Sequence, residues 1–125
     1  MNKDLSEVIA SLGHTDTLVV CDAGFPIPTG VRRIDLAVRQ GLPAFKETTQ
    51  AIADDLKVDS IIVAEETARV SPMILEGLKA VFKDVQITTV CHAELKKLSH
   101  EAKAVVRTGE FTPYANVILV CGIVF

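Results

Sequence analysis

The segment that decides the fold is residues 12–28, which read LGHTDTLVVCDAGFPIP. At its centre, the run TLVVC over residues 17–21 is apolar and rich in β-branched side chains, which is typical of a strand buried on both faces. His14 precedes this strand and Asp22 follows it. Because a strand of five or six residues is about 17–20 Å long, we expect that the two groups do not meet along their own strand. Each therefore needs partners from elsewhere.

Outward from this segment, helical and strand-like patterns alternate along the chain. Apolar residues at positions 5, 8, 9 and 12 have the spacing of one helix face, and we expect Asp4 to cap that helix and Gly13 to end it. Further helices are predicted over residues 42–56, with Pro43 in the first turn, from Ser71-Pro72 onward, and over residues 92–98. Further strands are predicted over residues 60–64, 85–90, 104–107 and 117–125, with a short strand or turn at 33–38.

This alternation predicts an α/β protein with a three-layer α/β/α architecture and a mixed, mostly parallel sheet. All 125 residues are assigned to one domain, a length that suffices for a core of its own. Only nine residues separate the last two strands, whereas a parallel crossover needs about a dozen or more. We therefore expect these two strands to form an antiparallel pair.

Composition excludes several classes of partner. The formal net charge is −3 and no basic tract is present, which argues against nucleic acid. No apolar run approaches the roughly 18–20 residues of a membrane span. The three cysteines, Cys21, Cys91 and Cys121, lack paired CxxC spacing and fit free, buried thiols in a reducing cytoplasm. A metal site built from them with His92, or a nucleophilic cysteine, is the alternative interpretation.

Polar residues follow three of the predicted strands. In open α/β sheets, ligands bind beyond the carboxyl ends of the strands, and Asp22, the pair Glu65-Glu66 and His92 occupy such positions. Parallel strands would bring them to one edge. A carboxylate there can accept hydrogen bonds from sugar hydroxyls or orient an imidazole. Alternatively, Asp22 caps its own turn and the acidic pair is a solvated strand end.

Three further residues are candidates for chemistry. An imidazole can gain or lose a proton near neutral pH, although a histidine after a helix-ending glycine, such as His14, can also be a helix cap. Tyr114 and Asn116 offer an apolar face, a hydroxyl and an amide, which together suit a polyol; the alternative is a turn with a packed aromatic ring. His100 is interpreted as a surface residue. Phosphate-binding, serine-hydrolase and zinc-protease motifs are absent, which favours a cofactor-free reaction or simple binding.

Four segments of the chain resemble one family closely. They are GHTDTL at residues 13–18, CDAGFPIP at 21–28, IVAEE at 62–66 and RTGEFTPYANVIL at 107–119. In these segments the sequence is similar to the D-ribose pyranase family, which is related to the L-fucose mutarotases. The resemblance extends from the first helix to the last residue and is less distinctive at residues 40–60 and 67–100.

The resemblance implies an isomerase that interconverts the pyranose and furanose forms of D-ribose without a metal or cofactor and supplies furanose to ribose catabolism through ribokinase. It implies that His14 is the general acid. It also implies the sugar-binding residues Asp22, His92, Tyr114, Ala115 and Asn116. The family further implies a cytoplasmic homodecamer with its sites at subunit contacts, and a histidine at position 92 favours the ribose branch.

The implied chemistry suits these side chains. Opening a cyclic hemiacetal requires a proton on the ring oxygen and removal of one from the anomeric hydroxyl, and closure by another hydroxyl repeats the exchange. Three alternatives remain: a mutarotase for another sugar such as L-fucose, a non-catalytic cytoplasmic sugar-binding protein, and a purely structural ring-forming protein. The group that removes the anomeric proton stays open between water and a carboxylate.

Overall fold

The structure is a computed structural model and describes residues 1–123. Its helices are α1 (Lys3–Ser11), α2 (Phe45–Asp55), α3 (Glu65–Val70), α4 (Pro72–Val81) and α5 (His92–Leu98), followed by a short 3-10 helix over Ser99–Glu101. Its strands are β1 (Thr17–Cys21), β2 (Arg32–Asp35), β3 (Val58–Ala64), β4 (Gln86–Val90), β5 (Ala104–Arg107) and β6 (Val117–Cys121). Within this described part, no helix is both long and apolar enough to cross a membrane.

The six strands form one mixed sheet in the order β2-β5-β1-β6-β3-β4. Five strands run parallel to one another, and β6 is antiparallel to both of its neighbours, β1 and β3. The five parallel strands therefore end at the same side of the sheet, which we call the carboxyl edge. The opposite side, where these strands begin, is the amino edge.

Alternate strand residues face opposite sides of the sheet, and both sides are covered. One core lies between the sheet and α1, α2 and α4. It contains Leu18, Val20, Ile61, Val63, Val106 and Leu119 from the strands. A second core lies between the sheet and α5 together with the loop after β1. It contains Val19, Cys21, Phe25, Leu95, Val105 and Ile118. The predicted three-layer α/β/α arrangement is confirmed.

Three expectations about individual elements need correction, and one helix was not predicted. Helix α2 begins at Phe45, so Pro43 lies before it and not in its first turn. The last two strands do not pair: β5 and β6 lie on either side of β1, because nine residues suffice to pass over the end of one intervening strand. Asn2, not Asp4, caps α1, since its side-chain oxygen accepts from the backbone N–H of Leu5 at 3.0 Å. Helix α3 was not predicted, because six residues are too few for a helical pattern. Residues 124 and 125 of the predicted last strand lie outside the described residues.

Gly109 lies where two loops make backbone contact. Its N–H donates to the carbonyl of Pro43 at 2.9 Å, and its carbonyl accepts from the N–H of Gly41 at 2.6 Å. A Cβ atom at position 109 would come within 2.6 Å of the carbonyl oxygen of Arg39 and would also collide with that of Leu42. These oxygens belong to the backbone, so only a shift of the loop could relieve the clash.

We expect Gly109→Ala to lower the free energy of unfolding by about 2 kcal/mol or more, as overpacking against rigid atoms does. The matched control is Gly77→Ala, in helix α4, where the nearest atom to a new Cβ is 3.8 Å away. That change should stabilise the protein by roughly 0.5–1 kcal/mol, since alanine suits a helix interior better than glycine. Urea unfolding followed by circular dichroism measures both, and equal effects would contradict the close packing at Gly109.

Candidate active site

Polar groups from several strands meet at the carboxyl edge. Asp22 follows β1, His92 follows β4, and Arg107 ends β5. The connection from β5 to β6, residues 108–116, has to pass over the end of β1 because these two strands flank it. This crossing carries Tyr114 and Asn116 to Asp22. The topology of the sheet thus assembles residues that lie far apart in the sequence.

Asp22 is fixed by contacts on both sides. Its backbone N–H donates to Oδ1 of Asn116 at 2.9 Å, and its own Oδ1 accepts from the N–H of Gly24 at 3.0 Å. Burial raises the pKa of the Asp22 carboxyl, and the hydrogen bonds from Gly24 and Asn116 offset part of this effect. A carboxyl group with a raised pKa can exchange protons closer to neutral pH than a solvated one.

The imidazole of His92 stands between two aromatic rings. Its centroid is 5.0 Å from that of Tyr114 and 6.1 Å from that of Phe25, both in edge-to-face geometry. Nδ1 of His92 is buried without a hydrogen-bond partner among the described residues, so Nε2 is the nitrogen that a ligand can reach. Burial lowers the pKa of His92, and the charge of Lys96 lowers it further. His92 is thereby biased toward its neutral form, in which Nε2–H can donate a hydrogen bond.

Tyr114 adopts an unusual backbone conformation, with φ at 60°. This left-handed region is unfavourable for a residue with a bulky side chain. Helix α3 and the residue after it hold the turn in place: Oγ1 of Thr67 donates to the carbonyl of Tyr114 at 2.8 Å, and Oγ of Ser71 donates to that of Pro113. Strain of this kind is concentrated at functional sites, and here it directs the tyrosine ring toward His92.

These side chains line a cavity of about 520 Å³ that opens to solvent. This volume lies within the range of about 300–1,000 Å³ that is usual for small-molecule sites. The wall combines a carboxylate, an imidazole, an amide and a guanidinium with aromatic faces. The residues concerned are Asp22, Phe25, His92, Arg107, Tyr114 and Asn116. Such a wall can bind a small polyhydroxylated ligand through hydroxyl hydrogen bonds and apolar contact with the aromatic rings.

The structure does not bring every candidate residue into this cavity. His14 is exposed and lies before β1 at the amino edge, where the N–H of the next residue, Thr15, bonds to the carbonyl of Cys121 at the end of β6. Ala115 is fully buried in the core. Glu65 is exposed and lies outside the cavity wall. Of the predicted sugar-binding residues, Asp22, His92, Tyr114 and Asn116 line the cavity.

The surroundings of two of the cysteines disfavour the alternative interpretation of a nucleophilic thiol. All three are free thiols, and Cys21 and Cys121 are buried as predicted, whereas Cys91 is exposed and the prediction of a buried thiol is wrong there. Burial raises the pKa of Cys21 to about 12 and that of Cys121 to about 11, which disfavours their nucleophilic thiolate forms. Across residues 1–123, no three histidine, cysteine, aspartate or glutamate side chains are grouped as a metal site would need.

Comparison with known proteins identifies the family. Residues 1–124 match the model of the RbsD / FucU transport protein family. The chain belongs to this family. Within it, the chain is 53% identical over 125 residues to the D-ribose pyranase of Symbiobacterium thermophilum, with 100% of this chain and 95% of that protein covered.

Solved structures with the same fold include two sugar complexes. The structure of Bacillus subtilis RbsD complexed with D-ribose superimposes with a TM-score of 0.98 at 44% identity, covering 100% of this chain and 95% of that one. The fucose mutarotase of Streptococcus pneumoniae, in complex with L-fucose, is more distant. Its TM-score is 0.78 at 25% identity, with 99% of this chain and 94% of that chain covered.

Two charged residues in the cavity wall were not among the predicted site residues of this family member. Nε of Arg107 donates to the carbonyl of Ala23 at 2.9 Å, and its guanidinium pairs with Asp35 at 3.0 Å. Both carboxylate oxygens of Glu110 are occupied, by the N–H of Phe45 at the start of α2 and by the hydroxyl of Thr112. Burial would raise the pKa of Glu110, but these hydrogen bonds lower it.

Arg107 could have been predicted as a site residue, because it ends one of the predicted strands. No sequence pattern indicated the role of Glu110, because its hydrogen-bond partner Phe45 is 65 residues away in the sequence. Both residues fix the loop after β1, because the N–H of Ala23 also donates to the carbonyl of Glu110 at 2.9 Å. They therefore help to hold the loop that begins at Asp22 in place.

Proposed function

We propose that this protein is a D-ribose pyranase that converts the pyranose form of D-ribose to the furanose form and back. The observation that carries the proposal is the meeting of Asp22, His92, Tyr114 and Asn116 in one cavity at the carboxyl edge. The high identity to a D-ribose pyranase over the full length of the chain supports ribose as the sugar. The more distant relation to a fucose mutarotase ranks L-fucose second.

In this proposal, each side chain has a role set by its surroundings. Asp22 accepts the anomeric proton, because its carboxylate has one oxygen occupied by Gly24 and a raised pKa. His92 donates from Nε2 to a sugar hydroxyl. Tyr114 and the amide of Asn116 orient the sugar ring, while the buried Ala115 sets the spacing between them. Ring opening gives the linear aldehyde, and attack of the C4 hydroxyl on C1 closes the furanose.

We further propose that His14 protonates the ring oxygen in the site of a neighbouring subunit. Its own chain holds it at the amino edge, about the length of β1 away from Asp22. The cavity opens to solvent, and Phe111 in its wall has 59% of its surface exposed. An exposed aromatic ring beside an incomplete site is suited to a subunit contact. The homodecamer is the assembly we expect.

We place the enzyme in the cytoplasm, where a reducing environment preserves free thiols such as the exposed Cys91. The furanose that it releases would be available to a kinase of ribose catabolism. Light scattering tests the assembly, since a particle of 13.5 kDa in solution would exclude a site shared between subunits.

Exchange NMR on D-ribose tests the activity. Adding a catalytic amount of protein should speed magnetisation transfer between the pyranose and furanose anomeric signals, with no metal or cofactor added. L-fucose, allose and galactose serve as comparison sugars and should exchange more slowly. Binding of ribose without faster exchange would identify a sugar-binding protein instead, and faster exchange of fucose than of ribose would identify a fucose mutarotase.

A further inference from the structure

The acidic pair Glu65-Glu66 has no part in the mechanism proposed above, yet one of its members reaches the site. The carboxylate of Glu66 accepts the backbone N–H of His92, at 3.0 Å to Oε1 and 3.2 Å to Oε2. Glu66 lies in the first turn of α3, and His92 begins α5, 26 residues further along the chain. The side chain of Glu65 makes no such contact and is exposed.

This contact fixes the first residue of α5. The first N–H groups of a helix have no partner within the helix, and Cys91, which precedes α5, provides no side-chain cap. A carboxylate at this place satisfies one of these groups with a charge-assisted bond and interacts favourably with the helix dipole. The N–H groups of Glu66 itself and of His92 lower the pKa of the Glu66 carboxyl, so it is ionised at neutral pH.

The orientation of the His92 ring depends on this backbone anchor. Neither ring nitrogen has a hydrogen-bond partner within residues 1–123, and Nδ1 is buried. The ring packs edge to face against Phe25 and Tyr114, and because no hydrogen bond holds it within the described residues, its position follows the backbone at His92. A shift at the start of α5 would therefore move Nε2 directly relative to a bound ligand.

We propose that Glu66 is a positioning residue that holds His92 in place to bind the sugar. The inference rests on the proposed function, because it concerns how the same site binds ribose. It assigns different roles to two adjacent glutamates of the same helix turn: Glu66 supports the site, and Glu65 is a solvated surface residue. Glu65 therefore provides a matched control for every substitution of Glu66.

The first test compares ribose binding and exchange in Glu66→Ala, Glu66→Gln and Glu65→Ala. Glu66→Ala should weaken ribose binding about tenfold, the effect of losing roughly 1.4 kcal/mol, and should raise KM more than it lowers kcat. Glu66→Gln keeps an acceptor oxygen and should restore binding to within about twofold of the natural protein. Glu65→Ala should bind ribose normally. Equal ribose binding by folded Glu66→Ala and Glu65→Ala would overturn the proposal.

The second test measures the pKa of the His92 imidazole by NMR in Glu66→Gln and Glu65→Gln. It tests the proposal even if Glu66→Ala does not fold. The charges that act on His92 are those of Lys96 on α5, Asp22 after β1 and Glu66 itself, and the Tyr114 ring packs against the imidazole edge to face. Removing the Glu66 charge should lower the pKa of His92, whereas Glu65→Gln should leave it unchanged. Identical titration curves for the two variants would show that the Glu66 carboxylate does not lie beside His92, and the proposal would fall with that contact.

The two proposals fail in different ways. A natural protein that binds ribose but does not accelerate its exchange would exclude the pyranase, while the binding and titration differences between the Glu66 and Glu65 variants would still hold. Conversely, rapid ribose exchange with no difference between these variants would exclude only the role of Glu66.

Discussion

His14→Ala should slow ribose ring exchange by about 10²–10⁴-fold, the usual contribution of a general acid, while ribose affinity stays within about twofold. The affinity should survive because Asp22, His92, Tyr114 and Asn116 line the cavity without help from His14. Exchange NMR measures the rate, and calorimetric titration with ribose measures the affinity. His100→Ala, which removes another exposed imidazole, should leave both unchanged. A normal rate in His14→Ala would remove this residue from the mechanism.

A mixing experiment tests whether His14 acts across a subunit contact. His14→Ala and Asp22→Asn subunits are each expected to be inactive. Unfolding and refolding them together in equal amounts would pair an intact His14 with an intact Asp22 in about one quarter of shared sites, by random assembly. Exchange should then return to about that fraction of the natural rate. If the mixture stays as inactive as its components, each site uses the His14 of its own chain or none.

Asp22→Asn should abolish most of the exchange and weaken ribose binding by about 10–100-fold, corresponding to a lost charge-assisted hydrogen bond of roughly 1.5–3 kcal/mol. Because burial raises the pKa of Asp22, exchange by the natural protein should fall as the pH drops through this raised value. The matched control is Asp59→Asn, which removes an exposed carboxylate near the start of β3. Equal activity of the two variants would contradict the assignment of Asp22.

The same substitution should increase stability. A carboxyl group whose pKa is higher in the folded than in the unfolded protein destabilises the fold when ionised, at pH values above both pKa values. This penalty decreases as the pH falls through the folded value and is absent below the unfolded one. Asp22→Asn should therefore melt at a higher temperature than the natural protein at neutral pH, and the difference should vanish in acid. A lower melting temperature at neutral pH would show that the charge stabilises the fold.

The part of the site that is formed by the ends of parallel strands could be predicted from the sequence. Asp22 and His92 come directly after apolar runs, so the rule that ligands bind at the carboxyl ends of strands placed both at one edge. Tyr114 and Asn116 precede β6, and their approach to Asp22 follows from β5 and β6 flanking β1. The sequence did not reveal this arrangement, because nine residues can join adjacent strands or pass over one strand.

Other features depend on information that a single sequence lacks. Helix α3 is too short to show a period, yet its Thr67 holds the strained turn at Tyr114. Whether Glu65 or Glu66 supports the site depends on helix geometry at a strand end, which the adjacent pair does not show. Which site His14 serves depends on how the subunits are arranged. Within one chain, His14 and Asp22 lie at the two ends of β1 and so at opposite edges of the sheet.

The central place of β6 has a consequence for the biosynthesis of the protein. This strand comes after the other five in the chain, yet it joins β1 to β3 in the middle of the sheet. On the ribosome, the two halves of the sheet therefore cannot unite until residues 117–121 have left the exit tunnel. Native contacts between such distant segments are typical of slow folding. We expect nascent chains that lack β6 to expose apolar strand edges and to depend on chaperones until β6 has emerged.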